Sequence, residues 1–224
     1  TKDEDEVARI RKMGQVTKEV VSATADLLTR SKVKDEVLLM ENGEALTIGE
    51  VKQQIDVWLM ERGSENPEGT IFAIGRDAGI PHSTGTASNV LRLGQTIVFD
   101  IFPCEAGGGY FHDFTRTWCL GYAPDDVVKL YEDVYKVNEQ LLAEIEVGKP
   151  FFDYQKLTCE MFDDMGHATV MTDPSTENGY VHSLGHGVGL KVHELPVCSY
   201  HPEGKPTNVL TPGNVIALEP GLYY

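Results

Sequence analysis

Basic residues are scarce in this chain: 19 Lys and Arg stand against 35 Asp and Glu, a formal charge of −16 at pH 7 over 224 residues. That balance disfavours nucleic acid and anionic membranes as partners, because phosphate recognition draws on a basic surface. Most of the carboxylates are expected on a solvated exterior. Cysteine is scarce too. Cys104, Cys119, Cys159 and Cys198 form no CxxC pair and no tight cluster, which argues against a disulfide framework and for reduced thiols in a cytoplasmic protein. No apolar run is long enough to cross a bilayer and no signal peptide is read, so a soluble protein is expected. Low-complexity linkers are absent as well. A hydrophobic content of 41% then predicts a single domain over 1–224 with a sizeable core.

What is present is periodic. Val7, Ile10, Met13, Val20, Ala23, Leu27 and Leu28 recur at helical spacing between Asp5 and about Ser31. Thr47 and Glu50 have capping-box spacing, which predicts a second helix ending near Gly63. Strands are expected at Thr70 to Gly75, Thr96 to Phe102 and Thr115 to Leu120. Pro124 stands at a first helical position with Asp125 and Asp126 in the first turn, where acids complement the helix dipole. Val127, Leu130, Tyr131, Val134, Leu141 and Ile145 supply that helix with an apolar stripe, and Gly148-Lys149-Pro150 ends it. Another helix covers about Phe152 to Met165, and short strand-like runs alternate with turns from Gly179 to Tyr224.

One pattern repeats. The stretch from Leu91 to Asp100 matches that from Leu210 to Glu219 at Leu, Gly, an amide, Ile, two apolar positions and a terminal acid. The offset, 219 − 100 = 119 residues, also carries the start of the first helix onto Pro124. Two related halves, about 5–121 and 124–224, are therefore expected, each running helix, helix, then strands that end in an acid.

Those acids carry the chemistry. Asp100 interrupts the apolar run Ile97 to Phe102, which reads as buried on both faces. A buried carboxylate costs several kcal/mol or more unless a cation or strong donors compensate it. For one acid the usual answer is an arginine; for two at equivalent points of a repeat, a shared metal is simpler. Asp113 follows Asp100 across the turn Gly107-Gly108-Gly109, which could fold the chain back as a hairpin and set the carboxylates side by side. His182, His186 and His193, three of seven histidines, are interleaved with glycines that permit close backbone approach. A lone histidine is more often structural; this grouping points to a site. Carboxylates with one imidazole and no thiolate favour Mn, Co, Fe or Zn. Two such ions a few ångströms apart activate water and polarise a carbonyl or phosphoryl oxygen, which is hydrolytic chemistry.

At these residues the sequence resembles the pita-bread family of methionine aminopeptidases, Xaa-Pro aminopeptidases, prolidases and creatinases. The matching pieces, in family order, are Ile80-Pro81-His82, Val98 to Ile101, Asp113 to Thr117, Ser183 to Gly189 with Val192-His193-Glu194, and Ala217 to Tyr223. The resemblance implies an α+β fold of two pseudo-symmetric halves, helices packed on a curved antiparallel sheet. It also implies that Asp100, Asp113, His186 and Glu219 are ligands of two divalent ions (manganese favoured over cobalt, zinc and iron), with Asp113 bridging. His193 is then the hydrogen-bond donor to the scissile amide and its oxyanion, and Glu219 the general acid/base. His82 and His182 then line the substrate pocket, with His82 also in the catalytic set. The strings at Asp113 and Glu219 resemble the proline-specific branch more than methionine aminopeptidases, so hydrolysis of an Xaa-Pro bond in a peptide is expected, in a protein for which a homodimer is left open.

The chain departs from the family in places. The turn at Cys104 to Tyr110 carries an insertion, for which a longer hairpin tip is expected. The family's fifth ligand, a bridging Glu, would fall near 113 + 119 = 232, past Tyr224, and the amino-terminal domain common in the branch does not precede the helices, so the sequence reads as a fragment. A creatinase-like enzyme would lack the ligands, a methionine aminopeptidase would share them, and a non-catalytic binding module of this fold typically loses some.

Overall fold

The helical period at the amino end is realised as α1, Glu4–Arg30, with Glu4, Asp5 and Glu6 in its first turn and Arg30 in its last, as the helix dipole favours. Its buried face is Ile10, Met13, Thr17, Val20, Val21, Thr24 and Leu28. Thr17 and Thr24 were not expected there; each returns its hydroxyl to the carbonyl four residues back, Met13 and Val20, at 2.9 Å, so no donor is stranded. The computed structural model describes residues 1–198 and 208–224. The chain divides into two units, Ala8–Val127 and Thr1–Val7 with Val128–Tyr224.

In the first unit a hairpin of β1, Lys32–Lys34, and β2, Val37–Leu39, follows α1. Its two turn residues, Asp35 and Glu36, have φ of 51° and 63°, the left-handed pair that a tight hairpin turn requires. Helix α2, Ile48–Glu61, opens with the expected capping box: the Thr47 hydroxyl accepts from the Glu50 N–H and the Glu50 carboxylate accepts from the Thr47 N–H. A short pair, β3, Ser64–Glu65, and β6, Cys104–Glu105, flanks the main sheet. That sheet is antiparallel, in the order β4, Thr70–Ile74; β5, Thr96–Ile101; β7, Phe114–Cys119.

Strand β5 corrects one expectation. Ile97, Phe99 and Ile101 are buried in the core with Ile48, Val51, Ile55 and Phe72, whereas Thr96, Val98 and Asp100 are half-buried. The run is apolar in composition but two-faced in structure: the core clothes one side, and Asp100 sits on the other. The glycine turn folds as expected, with Gly107 and Gly108 at φ of 84° and 83° and Cys104 bridged to Phe111.

The second unit holds α3, Asp125–Glu144, and α4, Phe151–Asp164, with Val137, Leu141, Phe151, Phe162, Tyr180 and Leu184 buried between elements. The stripe of α3 differs from the expected one at Tyr131, which is half exposed and stacks on Tyr135 at 6.3 Å. Its sheet is antiparallel in the order β10–β8–β9, with β8, Gly185–Gly187, β9, Glu194–Cys198, and β10, Ile216–Leu218. Residues 199–207 of the expected strand-and-turn run lie outside the described residues. The repeat offset maps Ile97–Phe99 of β5 onto β10 (97 + 119 = 216), and in each unit that strand pairs antiparallel with an earlier one. The cysteines form no disulfide, and among the described residues no helix is long and apolar enough to cross a membrane.

Candidate active site

Sheet register decides which acids meet. In the first unit Asp100 of β5 stands opposite Thr115 of β7. Asp113 precedes Thr115 by two residues, and continuing the alternation of β7 back by one residue would put it on the same face, diagonal to Asp100. Diagonal neighbours on an antiparallel pair are about 7–8 Å apart, within reach of carboxylates that lean toward each other. Asp113 lies just ahead of β7, where the chain turns in from His112. His112 is half-buried; burial lowers its pKa, with the charge of Asp113 pulling the other way.

The second unit repeats this geometry with other residues. His186 of β8 stands opposite Ala217 of β10, and the Glu219 N–H donates to the Leu184 carbonyl at 2.8 Å. Glu219 is therefore diagonal to His186 on one face, and its Oε1 lies 3.6 Å from His186 Nε2. Glycines make this approach feasible. A Cβ on Gly185 would stand 2.0 Å from the Ala217 carbonyl oxygen, and one on Gly187 2.4 Å from that of Leu195; no side chain fits there. The His186 side chain is 5% exposed, and its Nδ1 donates to the Gly187 carbonyl at 3.0 Å. That bond places a proton on Nδ1, so in the neutral ring the lone pair is on Nε2, the atom nearest the Glu219 carboxylate. Two electron-pair donors face each other, which suits a cation or a proton between them, and the backbone-anchored Nδ1 is the orienting bond that metal-binding histidines carry.

Other histidines take distinct places. His193 is exposed, its ring 4.1 Å from that of His186 at 49°. His182 Nδ1 donates to the Ser183 carbonyl at 2.7 Å, and Tyr180 and Tyr223 hold the ring edge-on at 5.5 and 5.3 Å. Its Nε2 is 3.4 Å from where a Cβ on Gly221 would lie. His82 belongs to an exposed turn of the first unit at φ 61°, a left-handed conformation that costs a non-glycine residue of order 1 kcal/mol. The structure thus brings together His186 with Glu219 and His186 with His193, and sets Asp113 just ahead of β7, the strand paired with the one that carries Asp100. No group of three or more His, Cys, Asp or Glu side chains that could hold a metal ion occurs among the described residues.

Gln155 escaped the reading of the sequence. It is fully buried on α4, where its Oε1 accepts from the Leu184 N–H at 2.5 Å and the Tyr180 hydroxyl at 3.2 Å. Its Nε2 reaches the His182 carbonyl at 3.4 Å. One amide thereby holds the segment from Tyr180 into β8. An amide on the apolar stripe of α4, one turn after Phe151, was the available signal.

Solved structures share the fold. The prolidase from Pyrococcus furiosus matches 100% of this chain and 58% of its own with a TM-score of 0.79 at 25% identity. A methionine aminopeptidase from Thermotoga maritima matches 98% and 80%, with a TM-score of 0.72 at 18% identity. The chain has the α+β pita-bread fold of the prolidases. The pattern of metallopeptidase family M24 spans residues 8–224, and the chain belongs to that family. Among curated relatives, the Xaa-Pro dipeptidase of Pyrococcus furiosus is 26% identical over 99% of this chain, and that of Pyrococcus horikoshii 28% identical over 99%. The chain spans 56% and 55% of their respective lengths.

Proposed function

We propose that this chain is one catalytic domain over 1–224, built of half-repeats 5–121 and 124–224, that hydrolyses an amino-terminal Xaa-Pro bond in a peptide. The observation that carries the proposal is the His186–Glu219 pair across β8 and β10, matched in the first unit by Asp100 on β5 and Asp113 just ahead of β7. Family membership and relatives described as Xaa-Pro dipeptidases support it. In this reading Asp100, Asp113, His186 and Glu219 are metal ligands. Two divalent ions held there, manganese favoured over cobalt, zinc and iron, would supply Lewis acidity and a water that loses its proton near neutral pH.

The chain's own groups do the rest. His193 donates a hydrogen bond to the scissile carbonyl oxygen as charge accumulates on it. Glu219 takes the proton of the attacking water and passes it to the imino nitrogen of the leaving proline. His82 and His182 line the pocket; the ring of His182, fixed by Ser183 and flanked by tyrosines, is suited to bracketing a flat, rigid residue. The acidic surface supports a peptide rather than a nucleic acid as the partner. A cytoplasmic location belongs to the same proposal, which leaves a homodimer open.

The test is metal analysis and calorimetry after loading with manganese, cobalt or zinc, alongside cleavage of Ala-Pro and Met-Ala peptides. Uptake of about two ions with turnover of Ala-Pro is the expected result. No uptake would sink the ligand assignment, and Met-Ala turnover without Ala-Pro turnover would move the chain to the methionine branch.

A further inference from the structure

Lys2 stands at the far amino end of the sequence, yet it contacts both edges of the second unit's sheet. Its backbone N–H donates to the Gly213 carbonyl at 2.7 Å, in the turn that leads into β10. Its ammonium is ion-paired with Glu194, the first residue of β9. Because the strands are ordered β10–β8–β9, a single residue ties the outer strands across the middle one, which carries His186.

The pair is not a surface contact. The Lys2 side chain is 6% exposed and that of Glu194 28%, against 56% and 60% for Lys149 and Glu146, a pairing of the exposed kind that contributes little. Backbone has been cleared to admit it. A Cβ on Gly213 would stand 2.5 Å from the Lys2 carbonyl oxygen, and one on Gly189 2.5 Å from the Glu194 carboxylate. The Gly189 N–H donates to the Lys191 carbonyl at 3.0 Å, so the loop between β8 and β9 folds tightly over that carboxylate. His193 is the last residue of this loop, immediately before Glu194.

We infer that Lys2 is a positioning residue: through Glu194 it fixes the loop that presents His193 to His186, and through Gly213 the strand that leads to Glu219. The physical reason is the cost of a stranded charge. Among the described residues Lys2 is the cation paired with Glu194, and removing the buried member of a partly buried pair is more disruptive than the net value of the pair suggests. Without Lys2 the carboxylate swings toward water and takes the backbone of His193 with it. Only the expected effect on turnover rests on the proposed peptidase reading; the effect on the histidine rings does not.

The experiment therefore has two arms on the full chain. Proton–carbon NMR spectra of the histidine rings, recorded without metal, compare the parent protein with Lys2→Met, Lys2→Arg and Glu194→Gln. Lys2→Met and Glu194→Gln should shift the rings of His193 and His186 while His82 and His167 stay in place, and Lys2→Arg should keep the parent spectrum. In the second arm, with manganese and an Ala-Pro peptide, Lys2→Met should lower kcat roughly 10- to 100-fold, the scale of a misplacement of about 1 Å. KM should change little, Lys2→Arg should recover most of the loss, and Lys149→Met should match the parent. Unmoved His193 and His186 rings in Glu194→Gln overturn the inference, and that variant decides the matter if Lys2→Met does not fold. A parent chain that cleaves nothing refutes the peptidase reading, and the ring spectra then decide the role of Lys2 alone.

Discussion

Replacing Gln155 by leucine keeps the volume of a fully buried side chain and removes its amide. The Leu184 N–H and the Tyr180 hydroxyl would both lose their acceptor, on residues that are themselves fully buried. Tyr180 cannot escape by ionising, because burial pushes its phenol well above the usual range. Each orphaned buried group costs about 1–3 kcal/mol. The His182 carbonyl, 3.4 Å from Nε2, adds little. The extra apolar contact of leucine returns about 1 kcal/mol, leaving a net loss on the order of 2–4 kcal/mol. For a chain of this size Tm should then fall by roughly 5–15 °C. Thermal unfolding measures the sum, and hydrogen exchange at the Leu184 amide measures the particular bond; exchange there should quicken more than at amides of the first unit. A loss below about 1 kcal/mol with unchanged Leu184 exchange would refute the reasoning, and Gln155 would be a passive filler.

Other perturbations have equally definite outcomes. Gly185→Ala drives a Cβ into the Ala217 carbonyl, so β8 and β10 should part and metal uptake should be lost; parent-like uptake by calorimetry would contradict the register argument. His193→Ala should lower kcat by roughly 10²-fold or more, as loss of an oxyanion donor does, and an unchanged kcat would leave His193 a bystander. Burial pushes the Cys198 thiol up to about 12, so its thiolate is scarce at pH 8 and gains only as pH climbs toward that value. Iodoacetamide on the native protein at pH 8 should label half-buried Cys119 well before Cys198, by peptide mass mapping, and the reverse order would be wrong for this packing.

Helices and central strands were legible because their apolar periods are unambiguous, and α2 announced its start through Thr47 and Glu50. The β1–β2 hairpin was not, since its left-handed turn is filled by Asp35 and Glu36 rather than by the Asn-Gly pair that signals such turns. Composition misled at β5: an apolar run reads as two-sided, whereas only the alternation of Ile97, Phe99 and Ile101 marks the core face. The acids and histidines of the site stood out as charges among apolar residues and glycines. Their supports did not. A glutamine inside a helix is commonplace until its partners are known. Lys2 meets Gly213 across 213 − 2 = 211 residues, a separation that no local pattern encodes.

That last contact bears on how the protein is made. Thr1–Val7 join the unit completed by Val128–Tyr224, so this segment packs against residues made much later, Gly213 following Lys2 by 213 − 2 = 211 positions. At about 5–20 residues per second, roughly 10–40 s pass before Gly213 follows Lys2. Residues 8–127 can fold during that interval, while the amino-terminal strap waits with its lysine in water. A deletion of the first few residues should accordingly damage the carboxyl-terminal sheet and spare the unit next to it in sequence.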